Sequence, residues 1–159
     1  MSAGTSSANV NHDLAVLAPL FRDSVLEAIA ACQANGLDAF VYEGYRSPEL
    51  QALYYARGRT VIPPSETVTN ARSNRYSWHG YGLAIDVISV EHEWDTPEAW
   101  FSDVAEVFGQ HRCKWGGDWK RKDLPHFQWS ACKPSPSDLA RQILDTEGLQ
   151  GVWVAVGAI

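Results

Sequence analysis

No stretch of these 159 residues is long and apolar enough to span a bilayer. Cations are scarce too: 13 Lys and Arg stand against 19 Asp and Glu, a net charge of −6. Phosphate recognition needs clustered excess Lys and Arg, so a nucleic-acid groove is excluded, and Arg57, Arg59, Arg72 and Arg75 read as a solvated loop surface. Cysteine is limited to Cys32, Cys113 and Cys132 with no Cys-x-x-Cys pair, so the thiols cannot all be bridged within one chain. They read as reduced, small buried hydrophobes, with a Cys113–Cys132 bridge or a thiol ligand as the alternatives. Neither a Gly-x-Ser-x-Gly elbow nor a catalytic-cysteine signature occurs, which argues against a covalent nucleophile. A secretory signal is not visible either: residues 1–9 are small and polar, and the apolar positions from Leu14 onward are interrupted by Arg22, Asp23 and Glu27.

What is present centres on Ser77-Trp78-His79-Gly80-Tyr81-Gly82-Leu83-Ala84-Ile85-Asp86-Val87. An imidazole and a carboxylate stand at the two ends of a glycine-rich turn that runs into a short apolar strand. Alternation along the strand places Leu83, Ile85 and Val87 on one face and Ala84, Asp86 and Ile88 on the other, with His79 able to fold back over Asp86. A second imidazole lies in Asp123-Leu124-Pro125-His126-Phe127-Gln128-Trp129, where Pro125 favours an extended backbone leading into a short strand. His126 and Gln128 would face the site, and Phe127 and Trp129 the core. Two histidines, one carboxylate and an open position make the ligand set of a catalytic zinc, and Asp123 is close enough to reach a water there without being a ligand.

These residues resemble the zinc peptidases of bacterial cell walls, which comprise D-alanyl-D-alanine carboxypeptidases and dipeptidases and the L-alanyl-D-glutamate endopeptidases of phage endolysins. Ser77, His79, Gly82, Ala84 and Asp86 match the pattern Ser-x-His-x-x-Gly-x-Ala-x-Asp; Asp123, His126 and Trp129 match its second part, and Tyr45-Arg46-Ser47 an upstream element. Trp115-Gly116-Gly117-Asp118-Trp119 looks like the endolysin branch. The resemblance covers roughly residues 38–129. It implies zinc on His79, Asp86 and His126, Asp123 as general base, and Arg46 steadying the oxyanion. Ser77, Tyr45 and Trp119 would touch substrate, the peptidoglycan stem peptide. The implied bond is L-Ala-D-Glu, with D-Ala-D-Ala as the near alternative and a non-catalytic zinc-binding module, as in the related Hedgehog fold, as the rival. It further implies a monomeric, endolysin-type enzyme of bacteriophage, made in the host cytoplasm and released to the wall by a holin.

The expected fold is α+β, a small antiparallel sheet carrying the zinc site with helices flanking it. Residues 1–10 read as a flexible tail, 11–133 as the catalytic domain, and 134–159 as a C-terminal helix and apolar tail packed on it. Helical spacing runs from Asp13 to Ala34, with Pro19 as a kink or division, and Asp38 to Tyr42 reads as a strand. Ser47 caps a helix reaching about Arg57, whose buried face is Leu50, Leu53 and Tyr54. Residues 58–76 show no period and form one wall of a cleft. Glu91-His92-Glu93-Trp94-Asp95 lacks metal-motif context and reads as a solvated loop. A further helix runs from Thr96 to about Gln110, followed by His111 as a C-terminal cation. Trp115 to Trp119 forms a Gly-Gly turn between indoles, either packing beneath the site or walling it. Asp138 to Thr146 reads as a short helix and Gly151 to Ile159 as an apolar tail of strand character.

Overall fold

A computed structural model describes residues 9–60 and 67–159. Four strands, β1 (Ala39–Glu43), β2 (Ala84–Ser89), β3 (Cys113–Trp115) and β4 (His126–Trp129), form an antiparallel sheet in the order β1-β2-β4-β3. Four helices accompany it: α1 (Pro19–Ala34), α2 (Pro48–Ala56), α3 (Glu98–Gly109) and α4 (Asp138–Ala155). The fold is α+β.

Strand alternation divides the sheet. Ile85 pairs with Phe127 on the face that carries the core, where Phe127 meets Phe108 of α3 at 4.6 Å and Trp129 meets Phe21 of α1 at 6.4 Å. The other face carries Asp86 opposite His126 and Ala84 opposite Gln128. Sealing one face under helices leaves the second free for a polar site. All three cysteines are free and buried.

The elements differ from their sequence-based spans in three places. Pro19 divides the first helical stretch: Leu14–Val16 is a single 3₁₀ turn capped by Asp13, and α1 starts at Pro19, which has no N–H to lose. In α2, Ser47 accepts the cap bond from the Leu50 N–H, but Leu53 is 52% exposed and Gln51 is buried instead. The last segment is a helix rather than a strand. α4 continues past a bend at Gly148 to Ala155; Val152 is buried and the Trp153 indole donates to the Tyr81 carbonyl. Leu149, Val152, Trp153 and Val156 recur at helical spacing, so one stripe packs on the core, and that burial outweighs the β-propensity of the valines. Of the N-terminal stretch read as a flexible tail, residues 1–8 lie outside the described residues, whereas Asn9 and Val10 line the cleft described below.

Candidate metal centre

Register assembles the site. Glu43 of β1, Asp86 of β2 and His126 of β4 lie in one row across three strands. The row exists because β1 carries a bulge: Val41 pairs with Val87 and Glu43 with Asp86, leaving Tyr42 unpaired between them. His79 arrives from the 3₁₀ turn Trp78–Tyr81 just before β2, closed by Gly82 in the left-handed conformation.

His79 Nε2 lies 3.3 Å from Asp86 Oδ1 and His126 Nδ1 lies 4.0 Å from the same oxygen. One donor atom from each of the three residues falls within 4.8 Å of the others, the only such group among the described residues. Tetrahedral zinc at bond lengths near 2 Å spaces its ligands about 3.3 Å apart, so the trio needs only a small inward closure.

Hydrogen bonds select which nitrogen each ring presents. His79 Nδ1 sits 2.9 Å from the Gly44 carbonyl oxygen, which can only accept, so the proton is on Nδ1 and the Nε2 lone pair faces Asp86. The Gln128 amide donates to the Lys133 and Cys132 carbonyls, which orients its oxygen toward His126 Nε2 at 2.7 Å. That oxygen accepts the Nε2 proton and leaves Nδ1 bare. The two imidazoles therefore aim different atoms at one point, each held by an outer partner. Burial, then the charge of His79, lower the His126 pKa to about 4, so the ring is neutral at physiological pH. Burial opposes ionisation of Asp86, but His79, Arg46 and His126 together hold it well below the usual carboxylate range.

Around the trio lies a cleft of about 750 Å³. Asp123 stands at its edge, with 52% of its side chain exposed and Oδ2 3.8 Å from His126 Nδ1. Desolvation, then the negative charge of Asp86, push its pKa up to about 6. Its placement depends on Gly116, where a Cβ would come within 2.6 Å of the Asp123 carbonyl oxygen; the Asp123 N–H donates to the Gly116 carbonyl. Trp115 packs beneath this loop, donating to the Leu124 carbonyl, while the Trp119 ring lies 4.9 Å from that of His126 and lines the cleft. The two indoles thus take different roles.

Arg46 is 8% exposed and its Nη2 lies 3.7 Å from Asp86 Oδ2. Nε and Nη2 donate to Glu43 Oε1 at 2.8 and 2.5 Å, and Nη1 donates to Gln51 Oε1 at 3.0 Å. Tyr54 stacks below the guanidinium at 4.6 Å and donates its hydroxyl to Glu43 Oε2. Glu43 and Gln51, which hold the arginine, were missed by reading the sequence. The available signal was an acid three residues before Arg46 inside an otherwise apolar strand. Ser77 lines the cleft, whereas Tyr45, expected against substrate, is 7% exposed and is not among the residues lining it. Residues 67–71 and Tyr76 contribute a wall through Val68, Thr69, Ala71 and Tyr76; 61–66 lie outside the described residues.

Comparison with known proteins decides what this arrangement belongs to. Residues 71–129 match a family model described as D-alanyl-D-alanine carboxypeptidase. Over 138 residues, 77% of this chain and 80% of the relative, the sequence is 37% identical to the peptidoglycan L-alanyl-D-glutamate endopeptidase CwlK of Bacillus subtilis strain 168. The chain belongs to this peptidase family. Among solved structures, the L-Ala D-Glu endopeptidase ChiX of Serratia marcescens is 25% identical with a TM-score of 0.54, covering 73% of this chain and 82% of that one. The LD-carboxypeptidase LdcB shares the fold at 13% identity and a TM-score of 0.55, covering 96% of this chain and 75% of its own. As a member of this peptidase family, the protein is a metallopeptidase whose cofactor is zinc, and the paired imidazoles and carboxylate fit that ion. No helix among the described residues is long and apolar enough to cross a membrane.

Proposed function

We propose that the protein hydrolyses the L-Ala-D-Glu bond of the peptidoglycan stem peptide, with His79, Asp86 and His126 as the zinc ligands. The observation that carries this reading is the convergence of two imidazoles, each presenting a different ring nitrogen, on the ionised Asp86, beside a carboxylate that is not itself within the trio. Zinc at such a centre supplies Lewis acidity, acidifying water and polarising a carbonyl. Asp123 takes the proton of the attacking water and hands it to the leaving amine. A pKa near 6 suits a group that must do both near neutrality. Arg46, its guanidinium fixed by Glu43 and Gln51 with Nη2 3.7 Å from Asp86 Oδ2, offers positive charge where the carbonyl oxygen becomes anionic. Ser77 and Trp119 border the peptide. The L-Ala-D-Glu bond is favoured by the resemblance to CwlK and ChiX, both named for that cleavage. An endolysin-type role in bacteriophage is supported by the Trp115–Trp119 run, and a monomer that reaches the wall through a holin would accompany that role.

Asp123→Ala should retain one zinc per chain and lose about 10²–10⁴ in kcat, whereas His79→Ala or Asp86→Ala should lose metal and activity together. Mass spectrometry of digested muropeptides reads the bond cleaved. New N-terminal D-Glu ends support the proposal; released D-Ala would replace it with carboxypeptidase action, and a fully active Asp123→Ala would remove that residue from the chemistry.

A further inference from the structure

The segment Glu91–Asp95 is solvent-exposed, as its composition suggests, but it is hydrogen-bonded into a defined turn. Glu93 donates its N–H to the Ser89 carbonyl and holds a left-handed backbone at φ 49°, and the Asp95 N–H donates to the His92 carbonyl. Asp38 anchors the segment from below, accepting from the Ser89 hydroxyl, the Glu91 N–H and the Trp100 indole. A non-glycine residue held in that region marks a turn whose shape is imposed by its surroundings. On it stands Trp94, 57% exposed, its ring edge-on to bulged Tyr42 at 4.7 Å. Beside them Val90 is 62% exposed.

Together with Phe40, Ile88, His12 and Glu93, these side chains line a second cavity of about 500 Å³. Tyr42 and Trp94 also line the cleft around His79, Asp86 and His126, so the two cavities share a wall. Ile88 follows Asp86 on the same face of β2, one same-face step or about 7 Å further on. A rigid, exposed indole over an apolar floor with a polar rim is a platform for a pyranose, whose carbon face stacks on the ring while its hydroxyls meet His12 and Glu93. An N-acetyl methyl suits the Val90 side.

We propose that this groove is a subsite for the N-acetylhexosamine ring to which the stem peptide is attached, with Trp94 as its specificity-determining residue. The proposal rests on the stem-peptide reading above. Cleavage at L-Ala-D-Glu leaves a single residue between the scissile bond and the sugar, a spacing of the same order as the step from Asp86 to Ile88. The glycan would then contribute binding that a free peptide lacks.

The test compares two substrates, the free stem peptide and the same peptide on its N-acetylglucosaminyl-N-acetylmuramyl disaccharide, with the zinc-loaded enzyme. Wild type should have the lower KM for the glycosylated substrate. Trp94→Ala should raise that KM about fivefold to tenfold with kcat unchanged and raise the free-peptide KM by a clearly smaller factor, and Trp94→Phe should recover part of the loss. Equal losses on both substrates would show a structural role and overturn the subsite, as would no loss on either. Concentration-dependent dimerisation abolished by Trp94→Ala would assign the patch to a second copy instead. Cleavage of neither substrate by wild type would refute the stem-peptide reading itself, and the subsite with it.

Discussion

Gln128 illustrates how much of a candidate metal site is held by residues outside the trio itself. Its amide is oriented by two backbone carbonyls, and its oxygen in turn decides which nitrogen of His126 carries the proton. Gln128→Leu should therefore keep the ligand set intact but weaken zinc binding by roughly 10–100-fold. A competition titration with a chromophoric chelator reads this directly; unchanged affinity would show that burial alone sets the tautomer. Such residues were only partly legible in the chain. Alternation along β4 put Gln128 on the site face, yet the carbonyls that orient it belong to the turn after the strand. Glu43 was hidden because its place opposite Asp86 depends on a bulge that alternation does not announce.

The 3₁₀ turn that delivers His79 is shaped by a close approach. A Cβ on Gly80 would fall 2.0 Å from the Asn74 carbonyl oxygen and 2.6 Å from its Cβ, and backbone cannot yield as a flexible side chain does. Gly80→Ala should cost about 3 kcal/mol, a fall of roughly 6–12 °C in Tm for a chain of this size, and displace His79 enough to weaken zinc binding. Gly109→Ala at the end of α3, where the new methyl would meet nothing beyond its own helical turn within 4 Å, should be neutral or stabilise by up to about 1 kcal/mol. Differential scanning calorimetry of the two variants separates a steric requirement from simple chain stiffening; equal Tm values would discard the steric account. α4 makes the complementary point at this scale. Its valines favoured a strand locally, but the stripe at Leu149, Val152, Trp153 and Val156 could only be sealed as a helix against the core.

For the molecule as a whole, proton linkage bounds the pH range of stability. The thiols of Cys32, Cys113 and Cys132 are raised by burial to about 11, 12 and 12, and Tyr81 by burial to about 12. Unfolded thiols ionise near 8.5, so the unfolded chain releases protons first and stability falls as pH rises from about 8.5 toward 11. At pH 10 each thiol removes roughly 2 kcal/mol. On the acid side, His126 with a folded pKa near 4 loses stability as pH falls from about 6.5 to 4. Asp123, raised to about 6, acts in the opposite sense between about 6 and 4 and offsets it. Below about 4 the depressed pKa values of Asp38, held by the Glu91 N–H against some desolvation, and of Asp86 leave acid loss unopposed. The metal-free protein should therefore show a Tm plateau from about pH 5 to 8 and a decline on both sides. A Tm still rising between pH 9 and 11 would contradict the alkaline arm. Thiol titration at pH 8 should count none in the native protein and three after denaturation.

Read alone, the chain determined the components of the candidate site: two imidazoles and two carboxylates at fixed spacing, on turn and strand segments whose alternation already turned Asp86 and His126 away from the core. Those features are local, set by residue type, glycine and proline positions, and the twofold period of a strand. Tertiary structure alone decided which ring nitrogen each histidine presents, that Glu43 and Gln51 hold Arg46, that Tyr45 is buried, and that the last segment is helical. Each of these depends on partners brought together from distant parts of the chain by strand register, a bulge and helix docking, and the free energy of those contacts exceeds the local preferences that a sequence displays.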